Sequence, residues 1–517
     1  MKAAVLILAS VLVFLPCGAK EAAGTLSRQT GKLAVGTKWE TDWHIVDSGR
    51  EGPTVLIVGG MHGNEPAGSL AAGQILHWPV VKGKLVVVPR ANVLALDANK
   101  RLTPGASKEI SNLNRNFPPV DESTVGKVEP QGELARALWQ FAMKSKPDWV
   151  LDLHEGYEFF RSHQPPKGKD KSVGSSIIYR GGKKMDALAA KAIAAADTTV
   201  TDPARKFSLI RRGPVSTGLA RACINVMGAE GVILETTYKE QPMSLRTRQH
   251  RLMVNVFLNH IGLIDRDCSD LLAAPKSGDT LQVGCFDGEG TGPSKNDVMG
   301  VVDDAEDLAL FHLGPEDMRA EVLKQFDVVI FPGGSGSKQA RDIGGEGRAA
   351  VRDFVEGGGG YVGICAGAYL CSANYSWSLD LVDTRALTGT VEVPGEGKKQ
   401  LWYRGGDAFI ETELTEKGVR LFGSGGIPKQ FTVRYHNGPI VTPHGSGELE
   451  DYEVLAWFRG ENGRLEAQKG TMVNTPAIVS GRFGKGRAVS ISPHPESNPD
   501  LHPVVAQAVR YAAGKVK

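Results

Sequence analysis

The chain has 517 residues, 41% of them apolar and 23% charged, which is the make-up of a soluble globular protein too long for one hydrophobic core. Two domains are expected, three at most. Lys plus Arg number 60 against 58 Asp plus Glu, a net charge of +2, with no long run of one sign, so nothing in the composition asks for nucleic acid or an anionic membrane as partner.

At the N-terminus Lys2 precedes an apolar run over residues 3–15, followed by Pro16, Cys17, Gly18 and Ala19. A charged start, an apolar stretch and small residues predict an export signal over 1–19, cleaved after Ala19, and a secreted or periplasmic protein. The run is too short to span a bilayer, so no transmembrane helix is expected. Pro16 before Cys17 is a poor match to a lipid-attachment signal, and soluble export is preferred to anchoring. Cys223, Cys268, Cys285, Cys365 and Cys371 then remain, in spacings that match neither a zinc ribbon nor a disulfide scaffold. Cys268 and Cys285 can pair in an oxidising compartment; buried free thiols are the plainer expectation.

From residue 54 to about 265 short β-rich runs alternate with helical ones. Residues 55–58, 84–89, 149–153, 176–179 and 232–234 read as strands, and 130–144, 183–196 and 242–261 as helices. This alternation predicts an α/β domain over 25–265 with a mainly parallel sheet. Residues 265–280 lose periodicity and gather polar residues, Pro and Gly, which predicts a linker over 266–280. A second α/β domain follows over 281–517, with strands at 281–286, 328–331 and 361–364, a helix at 348–355, one late strand at 481–492, and hairpins in the glycine-rich stretch 382–470. No internal repeat is present.

The chemistry of the first half begins at Gly-Gly-Met-His-Gly-Asn-Glu-Pro, residues 59–66. His62 and Glu65 stand three apart at a strand-to-helix turn, where open α/β sheets bind ligands. His154, after the run 149–153, lies at a second strand end. Two His and one carboxylate leave a fourth tetrahedral position open, the arrangement of a catalytic zinc. Asp152, two residues before His154 and so on the same strand face, is suited to orienting the imidazole. Hydrolysis of an amide also needs a base, and Glu235 ends the apolar run 231–234. In Asn-Leu-Asn-Arg-Asn-Phe-Pro, residues 112–118, Asn114 and Arg115 offer donors that fit a carboxylate. Arg101 is the candidate to hold a developing oxyanion.

The ordered set His62, Glu65, Arg101, Asn114–Arg115, His154 and Glu235 resembles the zinc carboxypeptidases and their relatives, the succinylglutamate desuccinylase and aspartoacylase group. The resemblance covers about residues 54–264. It implies a carboxypeptidase-like α/β/α sandwich and one Zn2+ per chain held by His62, Glu65 and His154. It also implies Glu235 as general base, Arg101 at the oxyanion, and Asn114 with Arg115 at the substrate carboxylate. The tyrosine that carboxypeptidases carry over the substrate has no match at its expected place, although Tyr238 is near Glu235 in sequence.

In the second half, Gly-Ile-Cys-Ala-Gly-Ala-Tyr-Leu, residues 363–370, sets Cys365 among small residues between a strand and a helix, where a sharp turn exposes a nucleophile. His494 and Glu496, in Ser-Pro-His-Pro-Glu, complete a Cys-His-Glu set if the fold joins them. Pro-Gly-Gly at 332–334 and the Ala366 amide are candidate oxyanion donors. This half resembles the class I glutamine amidotransferases, with their flavodoxin-like α/β fold, and within them the domain at the N-terminus of some biotin protein ligases. That resemblance implies the fold and leaves an active hydrolase and a binding module equally open.

The expected function is an exported zinc metallocarboxypeptidase that hydrolyses the C-terminal amide bond of peptides, cell-wall peptides among them. The alternatives are an N-acyl amino acid amidohydrolase of the desuccinylase or aspartoacylase type, and a non-catalytic peptide- or wall-binding protein. The partner expected is a peptide or N-acyl amino acid with a free carboxylate.

Overall fold

The computed structural model describes residues 25–118, 129–163, 172–276 and 278–516. The expected export signal over 1–19, with Cys17, lies outside these residues. The first sheet has eight strands: β1 (Ser27–Leu33), β2 (Thr41–Asp47), β3 (Thr54–Gly59), β4 (Lys84–Val88), β5 (Trp149–Gly156), β6 (Ser176–Tyr179), β7 (Ser208–Ile210) and β8 (Glu230–Thr237). Their order is β1-β2-β4-β3-β5-β8-β6-β7. The central four, β4, β3, β5 and β8, run parallel, while β1 and β2 on one side and β6 on the other pair antiparallel.

The parallel strands are apolar on both faces because helices cover both. On β3 Val55 and Ile57 pack with Ala71, Ile75, Met253 and Phe257. Leu56 and Val58 pack on the other face with Leu134, Leu138, Leu219 and Ala222. All four β3 side chains are at most 1% exposed, each contributing about 1.5–3 kcal/mol by burial. After β3 the chain turns to β4 on one side, while β5 lies on the other. Between β3 and β5 the connections part, and a crevice opens at the carboxyl ends of the strands.

The second sheet has nine strands. Five parallel ones come from β9 (Leu281–Phe286), β10 (Leu308–Leu313), β11 (Val328–Phe331), β12 (Gly360–Ile364) and, much later, β21 (Gly486–Ile491). Their order, β10-β9-β11-β12-β21, is the flavodoxin-like doubly wound arrangement. Between β12 and β21 the chain forms β13 (Thr384–Ala386), β14 (Thr390–Val393), β15 (Gly397–Gln400), β16 (Asp407–Leu414), β17 (Gln430–His436), β18 (Val441–Pro443), β19 (Glu453–Phe458) and β20 (Pro476–Phe483). Strands β20, β19, β16 and β17 extend the sheet antiparallel, and β14–β15 is one of the expected hairpins.

Two expectations are corrected. The single late strand is two, β20 and β21, paired antiparallel and reversed through Gly484, whose φ of +57° needs no Cβ penalty. The described residues of the linker form no helix or strand, but they are docked: Cys268, Ser269, Leu272 and Ala273 are buried. Cys268 and Cys285 are both free, in line with buried thiols rather than a bridge.

The helix Met243–Ile261 joins the two halves. Ser244 N donates to Asp287 Oδ2 at 3.1 Å, and Arg248 Nη1 reaches Asp270 and Asp317 at 3.0 and 3.4 Å. Arg251, 1% exposed, stands 3.7 Å from the equally buried Asp317. None of the described helices is long and apolar enough to cross a membrane.

Candidate active site

The turn after β3 is tight by necessity. A Cβ on Gly63 would sit 1.7 Å from Ala95 O, and one on Gly59 2.5 Å from Gly68 O. Pro66 then opens the helix Pro66–Ile75 at its first position, where a missing N–H costs nothing. His62 and Glu65 are thereby turned into the crevice, 2% exposed each.

His154 and Glu235 are register partners on β5 and β8. Both continue the strand face of Val150 and Ile233, which packs with the second helix layer. Strand β5 runs three residues beyond the expected end and β8 likewise, so these two side chains are held by sheet and not by loop.

Glu65 is the centre. Its Oε1 lies 2.9 Å from His62 Nδ1 and its Oε2 2.8 Å from His154 Nδ1. Glu155 N donates to it at 3.2 Å, and the Arg101 guanidinium hydrogen-bonds Oε1. The outer imidazole nitrogens face acceptors: His62 Nε2 is 3.1 Å from Asn112 Oδ1, and His154 Nε2 is 3.1 Å from Asp152 Oδ1. Asp152 is fully buried and neither of its oxygens makes an aligned hydrogen bond.

With its proton on Nε2, His62 donates to Asn112 Oδ1 and the His154 imidazole turns its proton toward the Asp152 charge, which leaves two Nδ1 lone pairs converging on a carboxylate. The three donor atoms lie within 4.8 Å of one another. Converging lone pairs need protons or a cation between them, and a set of two imidazoles and one carboxylate suits zinc. The residues therefore fit the metal. Burial alone would push the Glu65 carboxyl up, but His62 and His154 outweigh it and hold it well below its usual value. For His154 burial works downward and Asp152 and Glu65 prevail, raising it well above the ordinary imidazole.

Glu235 is 7% exposed. Burial pushes its carboxyl up to about 8 against the pull of His154. It faces a cavity of about 950 Å³ with His62, Glu65, Arg101, Arg115 and His154. Arg115 and Arg212 both line this cavity without an acidic partner among the described residues.

Asn114 lines the same cavity; it is buried, its Nδ2 3.2 Å from His154 Nε2 and its Oδ1 accepting from Leu219 N at 3.3 Å. Tyr238 lies at the cavity, its hydroxyl 3.4 Å from Asn64 Nδ2 and its ring 5.4 Å from that of Tyr157.

Sequence reasoning missed Asn112, although it opens the motif that supplied Asn114 and Arg115. It also missed Glu155, which accepts from Ala67 N at 2.8 Å and from Arg246 Nη1 at 2.5 Å. Glu155 thus meets the unpaired amides of the helix that carries Glu65; its adjacency to His154 was the available signal.

The second set also assembles. Cys365 follows β12 and His494 follows β21, the neighbouring parallel strand, and His494 Nδ1 is 2.6 Å from Glu496 Oε1. Cys365 and His494 line one cavity of about 1000 Å³.

Comparison with known proteins agrees with this division. Residues 51–164 match the succinylglutamate desuccinylase/aspartoacylase catalytic domain, and residues 322–515 the N-terminal domain of biotin-protein ligase. The N-alpha-acetyl-L-2,4-diaminobutyric acid deacetylase of Halomonas elongata is 33% identical over 112 residues, 20% of this chain and 29% of that protein. The chain thus spans under a third of the length of that relative. Among solved structures, the D,L-carboxypeptidase Csd4 of Helicobacter pylori is 21% identical over 47% of this chain and 64% of its own, with a TM-score of 0.35. The succinylglutamate desuccinylase/aspartoacylase of Rhodobacter sphaeroides is 21% identical over 50% of this chain and 72% of its own, with a TM-score of 0.33. The chain thus joins a region that matches the succinylglutamate desuccinylase/aspartoacylase catalytic domain to a region, flavodoxin-like in its strand order, that matches the biotin-protein ligase N-terminal domain.

Proposed function

We propose that the first domain is a zinc-dependent hydrolase that cleaves the amide bond beside a free carboxylate, acting as a carboxypeptidase on peptides. The observation that carries this reading is the convergence of His62 Nδ1, His154 Nδ1 and Glu65 in the cavity that Glu235 and Arg115 also face. Zinc bound there would polarise a carbonyl and acidify water. The remaining steps belong to the chain. Arg115, unpaired by any acid among the described residues, receives the substrate carboxylate. Glu235 takes the proton of the attacking water and passes it to the leaving nitrogen. Arg101, whose present partner is Glu65, turns to the oxyanion as it develops.

A deacylase acting on N-acyl amino acids is the second reading, favoured by the match of residues 51–164 to the desuccinylase/aspartoacylase catalytic domain. Both readings need the same zinc and the same base and differ in the acyl group. The pattern of residues 1–19 supports an exported enzyme, with cell-wall peptides among its substrates; the N-terminal sequence of protein recovered outside the cytoplasm would start after Ala19.

The test is metal analysis of the purified chain with a panel of peptides and N-acyl amino acids. One zinc per chain is expected, with Glu235→Gln keeping the metal and losing about 10²–10⁴-fold in rate. Release of C-terminal amino acids from peptides supports the carboxypeptidase, and turnover confined to N-acyl amino acids supports the deacylase. Absence of zinc, or full activity in Glu235→Gln, overturns both.

A further inference from the structure

We propose that the second domain completes the first site: Asp287, just after β9, is a positioning residue for Glu65 and acts through the helix Met243–Ile261 and the pair Arg246–Glu155.

The need for an outside partner starts in the sequence of that helix. Its N-cap is Pro242, which offers no capping side chain, and its first turn carries no acid. The unpaired amides and the positive end of the helix dipole have nothing local to meet. Arg246, Arg248 and Arg251 add positive charge to the same end. The carboxylates come from elsewhere in the chain. Asp287 Oδ2 accepts from Ser244 N at 3.1 Å, and Asp287 O accepts from Ser244 Oγ at 3.3 Å. A residue 43 positions later thus serves as the cap of this helix. Asp287 is 1% exposed and is fixed in turn by Lys295 Nζ and by His312 Nδ1, the latter at 3.5 Å.

Helical spacing puts the contacts with each domain on opposite sides. At about 100° per residue, Ser244, Arg248 and Arg251 fall on one stripe, and Arg246, His250 and Met253 on the other. The first stripe meets Asp287, Asp270 and Asp317. The second faces the first sheet: Arg246 Nη1 donates to Glu155 Oε1 at 2.5 Å, His250 Nε2 lies 3.2 Å from Thr236 Oγ1, and Met253 is packed into the core. Moving one stripe moves the other, since both stand on one rigid, buried element.

Glu155 is what Arg246 holds, and Glu65 is set against Glu155. The Glu155 N–H donates to Glu65 Oε2 at 3.2 Å, and Glu155 Oε2 accepts from Ala67 N, two residues beyond Glu65, at 2.8 Å. Glu155 is 2% exposed and has no second cationic partner among the described residues. Without Arg246 it is an unpaired buried carboxylate, which must move to find other donors. A further tie reaches the far end of the helix that follows Glu65: Arg251, 3.7 Å from Asp317, donates through Nη1 to Gln74 Oε1 at 2.6 Å. The helix Pro66–Ile75 is therefore held at both ends by arginines of one helix, and that helix is anchored in the second domain.

This role rests on the zinc reading above, and two readouts on the full chain separate their failures. Zinc competition against a chromogenic chelator should show affinity weakened about tenfold in Arg246→Gln and about fivefold in Asp287→Ala, with Arg246→Lys recovering most of the loss. The double variant should bind zinc no more weakly than Arg246→Gln alone, because the two residues act in series. Hydrogen exchange of the metal-free chain should quicken in peptides covering residues 61–70 and 152–158 in both single variants, while β4 stays unchanged. Gln325→Ala, which frees the amides of Leu272 and Ala273, loosens the junction without touching this helix and should change neither readout. If Asp287→Ala does not fold, Asp287→Glu, which displaces the carboxylate by one methylene, makes the same comparison. Effects that multiply in the double variant, or an Asp287 variant with wild-type zinc affinity and wild-type exchange, overturn the positioning role. A wild-type chain that takes up no zinc while the exchange pattern holds overturns the zinc reading and supports the positioning of Glu65 by Asp287.

Discussion

Replacing Asp152 by asparagine keeps the volume of a fully buried side chain and removes one charge. Asp152 Oδ1 is 3.1 Å from His154 Nε2 and has no aligned hydrogen bond of its own, so what it supplies to His154 is mainly charge. Loss of such a partner behind a ligating imidazole weakens metal binding about 10–100-fold, or about 1.4–2.7 kcal/mol. At a fixed excess of zinc the stabilisation by the metal falls by that same amount. For a domain of this size it corresponds to a melting temperature lower by about 3–10 °C in zinc. Zinc competition against a chromogenic chelator gives the affinity, and calorimetry in buffered zinc gives the shift. A zinc affinity within threefold of wild type would refute the reasoning. If Asn114→Ala weakens zinc and Asp152→Asn does not, the partner that matters is the amide 3.2 Å from the same nitrogen.

Other outcomes follow from the same contacts. Gly63→Ala drives a Cβ against Ala95 O; the turn must move, at about 1–3 kcal/mol, and zinc stoichiometry should fall even where the chain stays folded. Asp287 is held at about 2, because His312 and Lys295 outweigh the upward push of burial. A carboxyl depressed in the folded state stabilises above its unfolded value near 3.8 and loses that contribution as pH falls from about 4 to about 2, roughly 2 kcal/mol in all. Asp287→Asn should flatten the acid limb of urea unfolding measured over that window. Asp317→Ala strands the guanidinium of Arg251, 1% exposed, and should cost about 3–5 kcal/mol in denaturant unfolding; a loss below 1 kcal/mol would mean that Ser269 O and Gln74 suffice for Arg251.

The buried parallel strands were legible because their side chains are apolar on both faces, as in β3. The ends of β5 and β8 were not, since the sequence turns polar at His154 and Glu235 while the hydrogen-bonded register continues to Gly156 and Thr237. Strand β1 was invisible for the opposite reason: nearly all of its residues are exposed, so it has no apolar period to read. The candidate metal ligands could be found as residue types at strand ends. Their supports could not, because Asn112 and His62, or Arg246 and Glu155, meet only through the fold, 50 and 91 residues apart.

The helix Met243–Ile261 carries Arg246 toward Glu155 behind one site, and Ser244, Arg248 and Arg251 toward Asp287 and Asp317 of the other half. Its two sides belong to different domains, and its last residues feed a linker that is itself packed. The halves are thus not interchangeable parts. A chain cut near residue 270 would bare charges that evolved without water and apolar side chains that never met it, so an inherited exchange of either half must bring along a matching surface. Each domain serves as a wall of the other, whatever chemistry it carries.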